Sequence, residues 1–600
     1  MIKELIAKHF KYFVFYYRQL GVKIFLLLGV SSIIAFLDGI GLTLFVPLFQ
    51  VADSGGAKGE SLGKLQFVVD FFTRMNLPLT VGVILVFLLL LFALKGLVKL
   101  FERYYSTRIR VGFTRSLRIK LITGLCDLSY PGFVSFDQGR IHNVIVSEMG
   151  KSVGAFMAFF ATLQTGVTLL GYLVLAFAAN FQFALFISLI GVLSNFIYRL
   201  INKKVEVASL WQSLIANGLQ SNMIQTVNHY KYLKATNLID VYKRKLIELV
   251  FDAEKLSFRM GILNGISSAM REPLTIGIVS LVIYVQVVLL KVPMFSILLS
   301  LMFFYRSLTS LLEIQNTWQS FLTNTGGIAL TQEMLDELKL KKETPRHHET
   351  KDVFNQVGEI SFNGVGYCYE GQNVDVLKSI SLTVHRNQTV AFVGESGSGK
   401  TTLINLLAGL LAPTRGTLEI DGVVLTSSNI KLYRNHIGYI TQEPVVFSDT
   451  LYNNVTFWAE KSPANLRKFS EIIEQAALTE MVNNLPHREE TRLGDNGILI
   501  SGGQKQRISI ARELFRGCSI LLMDEATSSL DSETELVIQS NINKLQGKYT
   551  IVIIAHRLST VKKADVIYLL DKGEVTARGT FDELTHRSER FKRMVELQNF

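Results

Sequence analysis

Cysteine is scarce in this chain of 600 residues, which contains only Cys126, Cys368 and Cys518, widely spaced and without metal-ligand neighbours. Such spacing excludes a disulfide framework and a cysteine-based metal site, and it is typical of buried or incidental thiols in a reducing compartment. A small-x-small cleavage site is also missing near the N-terminus, and the apolar run at residues 24–51 is too long for a signal peptide. We therefore predict that basic, aromatic residues 1–23 form an interfacial helix leading into a first membrane span.

The chain also lacks an even distribution of charge. Residues 1–335 contain 31 Lys and Arg against 17 Asp and Glu, whereas the remainder contains 31 against 33. Because the positive excess belongs to the apolar half, it indicates membrane orientation and excludes nucleic acid as the expected partner. A mean hydropathy of +0.30 and the length together predict a membrane protein with soluble parts and at least two domains.

Six apolar runs are each long enough to cross a hydrocarbon core of about 30 Å as a helix. They lie near residues 24–51, 79–101, 153–179, 181–201, 273–290 and 295–322. The long segments after the second and fourth runs carry most of the Lys and Arg, so the positive-inside rule predicts that both segments and both termini are cytosolic. These segments favour long helices with transverse breaks near 132–138 and 225–232, although plain solvated loops are the alternative. A 3–4-residue apolar spacing at residues 62–75 predicts an external amphipathic helix.

Residues 394–401 form a complete G-x-x-x-x-G-K-[ST] phosphate-binding loop between a strand-like run and a helical pattern. A flexible Gly/Ser loop is the alternative, but it would not need that context. The backbone N–H groups of such a loop face phosphates at a helix N-terminus. Lys400 adds a positive charge, and the Thr401 hydroxyl is a ligand for Mg²⁺. The residues predicted to bind nucleotide here are Gly394, Glu395, Ser396, Gly397, Ser398, Gly399, Lys400, Thr401 and Thr402.

Further motifs surround this loop in a fixed order. Tyr369 precedes it and is predicted to stack on adenine. Asp524 and Glu525 end an apolar strand. Asp524 is suited to hold Mg²⁺, together with Thr401 and Gln442. Glu525 is suited to polarise the attacking water. His556 ends another strand and is predicted to reach the γ-phosphate. Taken singly, Gln442 and His556 would be ordinary polar residues, so the order and spacing carry the prediction. A second helix opens with Ser501, Gly502, Gly503 and Gln504, whose backbone amides are predicted to form a second phosphate nest. Asp531, which follows the Asp524-Glu525 strand in Ser528-Ser-Leu-Asp531, is also assigned to the nucleotide site.

With these motifs the chain resembles the ABC transporters over essentially its full length. Residues 500–504, followed by Lys505-Gln-Arg507, match the signature that distinguishes ABC cassettes from other phosphate-loop ATPases. Two departures exist: the signature begins with Ile500 where Leu is usual, and residues 494–497 read Gly-Asp-Asn-Gly where many exporters have Gly-Glu-Arg-Gly. The first is apolar and conserves volume, the second lies in a loop where a change in coupling is the expectation, and neither removes a catalytic group.

The resemblance implies an exporter half-transporter, a membrane α-helical bundle of six long helices fused to a cytosolic α/β phosphate-loop ATPase domain. The expected domains are residues 1–335 in the membrane, a linker at 336–358 and a cassette at 359–600. ATP and Mg²⁺ are the expected ligands, and a homodimer is the expected assembly, with each ATP enclosed by the second subunit's signature. The expected location is the cytoplasmic membrane.

Within the exporters, the chain is most similar to flippases of lipid-linked oligosaccharides, through short features such as Asp38 in the first span and Tyr305-Arg306 in the sixth. Ionisable residues within spans indicate a substrate site, so Asp38, Arg271 and Arg306 are its candidates. Local pairing, as between Arg271 and Glu272, is the alternative interpretation. The substrate is expected to be lipid-linked or amphipathic. A multidrug or peptide exporter and a non-transporting ATPase remain open as other functions.

Overall fold

The computed structural model describes residues 11–45, 81–179, 181–289, 294–343, 357–372, 374–524, 532–555 and 561–598, with positions 48, 74, 78, 80 and 354 between them. The predicted external helix, and the predicted groups Glu525, Asp531 and His556, lie outside the described residues. The chain divides into two compact units, one of Met1–Leu128 with Gly132–Lys342 and one of Ser129–Pro131 with Glu343–Phe600.

Helices make up the described part of the first unit. They are α1 (Lys11–Leu20), α2 (Lys23–Thr43), α3 (Val81–Cys126), α4 (Tyr130–Val134, at the boundary), α5 (Gln138–Asn143), α6 (Met149–Ala179), α7 (Phe181–Asn228), α8 (Tyr230–Ala235), α9 (Ile239–Ala269), α10 (Arg271–Tyr284), α11 (Met294–Thr323) and α12 (Thr325–Leu340). Short π-helical segments at Val144–Glu148 and Val285–Leu289 continue α5 and α10.

The long polar segments are helical, as predicted, and not solvated loops. Helix α3 begins where the Thr80 side chain accepts a hydrogen bond from the Val83 backbone N–H, and it continues for 46 residues. Helix α7 continues for 48 residues. At 1.5 Å per residue each is about 70 Å long, more than twice the thickness of a hydrocarbon core. Short helices α4 and α8 lie at the two predicted breaks.

Three helical stretches among the described residues are long and apolar enough to cross a membrane: Lys23–Thr43, Val81–Cys126 and Gln138–Phe177. The last three predicted spans also fall on helices, α7, α10 and α11. The chain is therefore a multi-pass membrane protein, and the count of six spans stays a prediction.

Aromatic packing attaches the N-terminal helix to this bundle. The Tyr16 side chain of α1 is fully buried, and its ring lies 6.1 Å from that of Phe113 and 5.4 Å from that of Phe156. Phe113 stacks on Phe156 at 4.5 Å, so α1, α3 and α6 share one aromatic core. The predicted helix before the first span is thus present from Lys11 onward.

Helix α12 includes the first residues of the predicted linker. The linker is expected at 336–358 and α12 continues to Leu340, so the predicted domain boundary falls within a helix and stays a prediction. Buried Met334 and Leu338 lie one helical turn apart on the same face, which keeps the chain helical across that boundary.

Strands and short helices make up the second unit. The strands are β1 (Glu359–Tyr367), β2 (Leu377–His385), β3 (Thr389–Val393), β4 (Arg415–Ile420), β5 (Val423–Val424), β6 (Ile437–Ile440), β7 (Ile520–Asp524), β8 (Thr550–Ile554), β9 (Val566–Asp571) and β10 (Glu574–Gly579). The helices are α13 (Lys400–Leu407), α14 (Ile430–Arg434), α15 (Leu451–Thr456), α16 (Pro463–Gln475), α17 (Thr479–Asn484), α18 (Gly502–Arg516), α19 (Ser532–Leu545), α20 (Phe581–Arg587) and α21 (Glu589–Gln598).

A six-stranded sheet in the order β10-β9-β3-β8-β7-β6 organises this unit, and β9, β3, β8, β7 and β6 run parallel. Strand β3 is buried on both faces: Val390 and Phe392 belong to one apolar core, and Ala391 and Val393 belong to the other. Burial on both faces explains why these strands are continuous apolar runs in the sequence. A second sheet, β2-β1-β4-β5, is antiparallel.

Candidate functional sites

The phosphate-binding loop connects β3, at the centre of the sheet, to α13. Gly397 and Gly399 have φ of +81° and +101°, the left-handed region that favours glycine. A Cβ atom on Gly394 would lie 2.3 Å from the Leu570 carbonyl oxygen, and one on Gly399 would lie 2.6 Å from Leu377 Cδ2. The glycines of the motif are therefore required both by backbone conformation and by close packing.

Lys400 is folded back onto this loop. Its Nζ donates hydrogen bonds to the carbonyl oxygens of Gly394 at 2.8 Å and Glu395 at 2.9 Å, and the residue is 5% exposed. The Ser398 Oγ is buried without a hydrogen-bond partner in the described part of the chain. A buried cation beside an unpaired hydroxyl and a glycine backbone fits a triphosphate, which supplies many acceptor oxygens.

Tyr369 lies against the first turn of α13. Its hydroxyl is 3.2 Å from the Thr402 Oγ1, and its ring packs edge-on against Tyr367 at 4.9 Å. The ring is 38% exposed, so one part of it is free of protein contact while the hydroxyl fixes its position.

Asp524 and Gln442 lie at the same edge of the sheet as the phosphate loop. Asp524 ends β7 and is in register with Ile554 of β8, and Gln442 follows β6. The carboxyl ends of parallel strands share one edge, where α/β sheets bind their ligands. Helix α13, which starts with Lys400 and Thr401, packs against β7. Thr401, Gln442 and Asp524 are oxygen donors of the kind that Mg²⁺ prefers, with phosphate and water completing its shell.

No cluster of three or more His, Cys, Asp or Glu suited to a metal ion occurs among the residues that the structure describes.

Tyr439 is a residue of this edge that the sequence interpretation missed. It lies on β6 and hydrogen-bonds with Asp524; burial, together with the charge of that carboxylate, raises the pKa of the Tyr439 phenol above its ordinary value. The phenol is therefore a neutral donor at any physiological pH. The only sequence feature that could have identified Tyr439 was its position three residues before Gln442. That feature is weak, because tyrosine is common in strands.

The second predicted nest is the N-terminus of α18. Ser501 caps this helix: its Oγ accepts from the Gln504 N–H at 3.3 Å, and the Gln504 Oε1 accepts from the Ser501 N–H at 2.9 Å. Ser501 and Gly502 are exposed, whereas Gly503 is buried. The helix packs on β6, α15 and α16. A 15-residue helix with an exposed, capped N-terminus offers a positive dipole end to an anion.

Arg590 of α21 is a second residue that the sequence interpretation missed. Its guanidinium lies 3.0 Å from the Glu395 carboxylate of the phosphate loop and also pairs with Asp571 at the end of β9. Neither contact follows from local sequence, since Arg590 and Glu395 are 195 positions apart.

Asp38, the first predicted substrate residue, is 2% exposed and lies on α2. Lys95 of α3 and Tyr172 of α6 both donate hydrogen bonds to its carboxylate. We call Asp38, Lys95 and Tyr172 the membrane cluster. Local pairing therefore accounts for the burial of this acid.

Arg306, the second candidate, is exposed on α11 and interacts electrostatically with Asp38 and Tyr172. It forms no ion pair within 4 Å with any described acid. Glu313, a possible partner on the same helix, is also exposed. The third candidate, Arg271, begins α10, but its side chain lies outside the described part.

Comparison with known proteins gives a consistent result. The model of the ABC transporter family matches residues 377–528. A curated protein of Yersinia pestis bv. Antiqua, named ATP-dependent lipid A-core flippase, is 30% identical over 443 residues, 71% of this chain and 73% of that protein. A Pasteurella multocida protein with the same name is 27% identical over 582 residues, 95% of this chain and 94% of that protein.

The fold is also that of a solved exporter. The structure titled "Structure of a bacterial Atm1-family ABC exporter with ATP bound" superposes with a TM-score of 0.77 at 22% identity, covering 97% of this chain and 98% of that one. At this identity the match establishes the architecture, a helical membrane domain joined to an α/β cassette.

Proposed function

This chain belongs to the ABC transporters as an ATP-driven exporter half-transporter, and on that premise we propose that it works as a homodimer that moves a lipid with an anionic head group across the cytoplasmic membrane. The distribution of Lys and Arg supports a cytosolic location for both termini and the cassette. The relatives' name, lipid A-core flippase, supports a large amphipathic lipid as the class of substrate.

In each cassette the buried Lys400 and the glycine backbone of the loop bind the β- and γ-phosphates, and Tyr369 stacks on the base. Glu525 accepts a proton from the attacking water, and His556 contacts the γ-phosphate. Mg²⁺, held by Thr401, Gln442 and Asp524, would neutralise phosphate charge when bound. Tyr439, donating to Asp524, keeps that carboxylate oriented toward the loop edge.

The homodimer completes the site. The exposed N-terminus of α18 supports this proposal, because its capped first turn has free anion-binding capacity but belongs to a different helix from the phosphate loop. In a two-fold dimer, residues 501–504 of each copy close over the nucleotide of the other. Nucleotide-dependent closure then moves the membrane helices, and hydrolysis reverses the movement.

The exposure of Arg306 within a membrane span is the observation that supports the substrate proposal. Placing arginine within a span costs about 2.5–3.5 kcal/mol on insertion scales, so such a residue faces water, an acid or a ligand. The buried acid that interacts electrostatically with Arg306, Asp38, already accepts hydrogen bonds from Lys95 and Tyr172. The exposed guanidinium therefore has the capacity to bind a phosphate-bearing head group, and the membrane cluster holds the helices around it in position.

The second candidate function is a multidrug or peptide exporter, for which an exposed arginine within a membrane span has no evident use. The two are distinguished by what stimulates hydrolysis. Purified dimer in proteoliposomes should increase its ATPase rate several-fold with lipid A-core or another pyrophosphate-bearing or phosphorylated glycolipid. It should respond little to uncharged apolar drugs.

The decisive variant is Arg306→Ala, tested in the same proteoliposomes. We expect basal ATP hydrolysis and thermal stability to stay near wild type while lipid flipping falls about tenfold, and Arg306→Lys to recover part of it because charge remains but the bidentate fork is lost. Arg259→Ala is the matched control, since it removes an exposed arginine from α9. Unimpaired flipping by Arg306→Ala would remove the anionic head group from the proposal, and hydrolysis without any lipid movement in wild type would favour a non-transporting ATPase.

A further inference from the structure

A groove runs between the turn from α1 to α2 and one face of α3. It encloses about 1020 Å³, and we call it the basic groove. Apolar and aromatic residues of its lining include Leu20, Tyr104, Tyr105, Ile109 and Phe113. Neither the ATP chemistry nor the Arg306 proposal uses any of these residues.

The charge of this groove has one sign. Lys23, Arg108, Arg115 and Lys120 line it, and no acidic side chain of the described part of the chain does. None of the four forms an ion pair with an acid among the described residues. Glu102 is the acid of α3 that is closest in sequence to these basic residues. Its Oε1 already accepts hydrogen bonds from Ser31 at 2.5 Å and Gln164 at 2.9 Å. The positive-inside rule explains why basic residues lie on the cytosolic side of the membrane. It does not explain why four of them line one groove.

The walls of the groove are fixed by packing. Phe113 forms part of the lining and also contacts the fully buried Tyr16 ring of α1. On α3, Ile109, Phe113 and Leu117 repeat every fourth residue and are buried, which holds the adjacent face of the helix in place. The groove is therefore present before any ligand binds.

One end of the groove lies at the level of lipid head groups. The apolar part of α3 ends at Phe101, and Tyr104 and Tyr105 follow, where tyrosine is enriched at membrane interfaces. Arg108 lies about 10 Å beyond Phe101 along the helix, at 1.5 Å per residue. The head-group layer on each side of a bilayer is roughly 5–8 Å thick, so a long arginine side chain reaches it by extending back toward the membrane. Lys23 begins α2, the first apolar span, and lines the same groove.

We propose that this end of the basic groove, formed by Lys23, Tyr105 and Arg108, binds the phosphate of an anionic phospholipid from the cytoplasmic leaflet. Basic pockets beside membrane helices on the cytosolic side attract anionic lipid head groups, and arginine binds phosphate through two parallel N–H donors. The site differs from the proposed substrate site, because Arg306 interacts with Asp38, which lies about 22 Å beyond Lys23 along α2.

Binding of fluorescent phosphatidylglycerol to the purified full-length protein in neutral detergent tests this site, with fluorescent phosphatidylcholine as the head-group control. We expect the Lys23→Gln/Arg108→Gln double variant to raise the Kd for phosphatidylglycerol at least tenfold and to leave that for phosphatidylcholine unchanged. Arg118→Gln is the matched control: it removes the same charge from α3 but does not line the groove. Its Kd should stay within twofold of wild type.

Unchanged phosphatidylglycerol affinity in the double variant would overturn the proposal. So would full displacement of phosphatidylglycerol from wild type by millimolar inorganic phosphate, because the groove would then be a site for soluble phosphate and not for a lipid. Basal ATP hydrolysis reports folding, since neither residue belongs to the nucleotide site. If the double variant does not fold, Arg108→Gln alone should raise the Kd about threefold, and an unchanged Kd would count equally against the lipid site.

Discussion

The nucleotide site and the membrane cluster place buried charge in opposite ways. At the phosphate loop, one buried lysine is held by two backbone carbonyl oxygens, and glycines at residues 394, 397 and 399 define the shape. In the membrane cluster, Asp38 is held by two side chains from two other helices. The first arrangement is local along the chain, and the second depends on the packing of three helices.

This difference teaches which charges are available for a ligand. Two backbone carbonyl oxygens accept hydrogen bonds from the Lys400 Nζ, and ionised phosphate oxygens are stronger acceptors for the same N–H groups, so a phosphate can replace them. Asp38 is already neutralised by Lys95, so it stabilises the bundle and leaves Arg306 as the available charge.

The largest effect should come from changing the local site. Lys400→Ala removes the cation of the phosphate loop, and Glu525→Gln removes the proposed base; each should lower ATP hydrolysis at least about a hundredfold. The two should differ in binding: Glu525→Gln should retain ATP and accumulate a closed dimer, whereas Lys400→Ala should bind ATP weakly. Hydrolysis rates and the Kd for a fluorescent ATP analogue measure both. Substantial steady-state turnover by Glu525→Gln would contradict the assignment of the base.

Locality also decides how far the sequence alone could lead. The loop, its glycines and Asp524 were predicted because a strand, a turn and a helix adjacent in sequence define the motif. The helices of the membrane half and the helical extension of α3 were predicted from apolar length and polar flanks. Asp38 was found as an unusual charge, but its pairing with Lys95 and Tyr172 was not, since the contacts span 57 and 134 positions. Tyr439 and Arg590 were missed for the same reason, because neither is part of a local pattern.

The next largest effect should come from the composite site. Ser501→Arg removes the cap of α18 and fills its exposed N-terminus with a bulky side chain. Each proposed site uses this residue from the other copy, so a mixed dimer with one wild-type and one variant subunit should keep one intact site and hydrolyse at most about half as fast. Hydrolysis by purified homodimers of the variant should be lost. The control is Ser462→Arg, at the N-cap of α16, because it changes the same residue type at another helix start. A fully active monomer of wild type would contradict the composite site.

The membrane cluster should show a stability effect and a smaller effect on turnover. Lys95→Met leaves Asp38 buried without its cation, and breaking a buried pair costs about 3–5 kcal/mol. The Asp38→Asn/Lys95→Met double variant should recover much of that loss, because no charge stays buried. Lys99→Met is the matched control, an exposed lysine one turn along the same helix. Thermal unfolding in detergent, together with size-exclusion profiles, gives the relative stability of wild type, Lys95→Met, the double variant and Lys99→Met. Equal stability of Lys95→Met and Lys99→Met would show that Asp38 does not depend on its partner.

The smallest expected effect tests whether a residue distant in sequence contributes to the phosphate-binding loop. Arg590 of α21 neutralises Glu395 within the phosphate loop, although both side chains are partly exposed and such pairs are screened by salt. Without Arg590, the carboxylate repels the triphosphate, so Arg590→Ala should raise the KM for ATP about threefold at low salt and less at high salt. The Glu395→Gln/Arg590→Ala double variant should return the KM to near wild type, because no uncompensated carboxylate remains. Arg593→Ala, an exposed arginine on the same helix, should change nothing. If the double variant stays as impaired as Arg590→Ala, the arginine acts by attaching α21 to β9 through Asp571, and the electrostatic role is wrong.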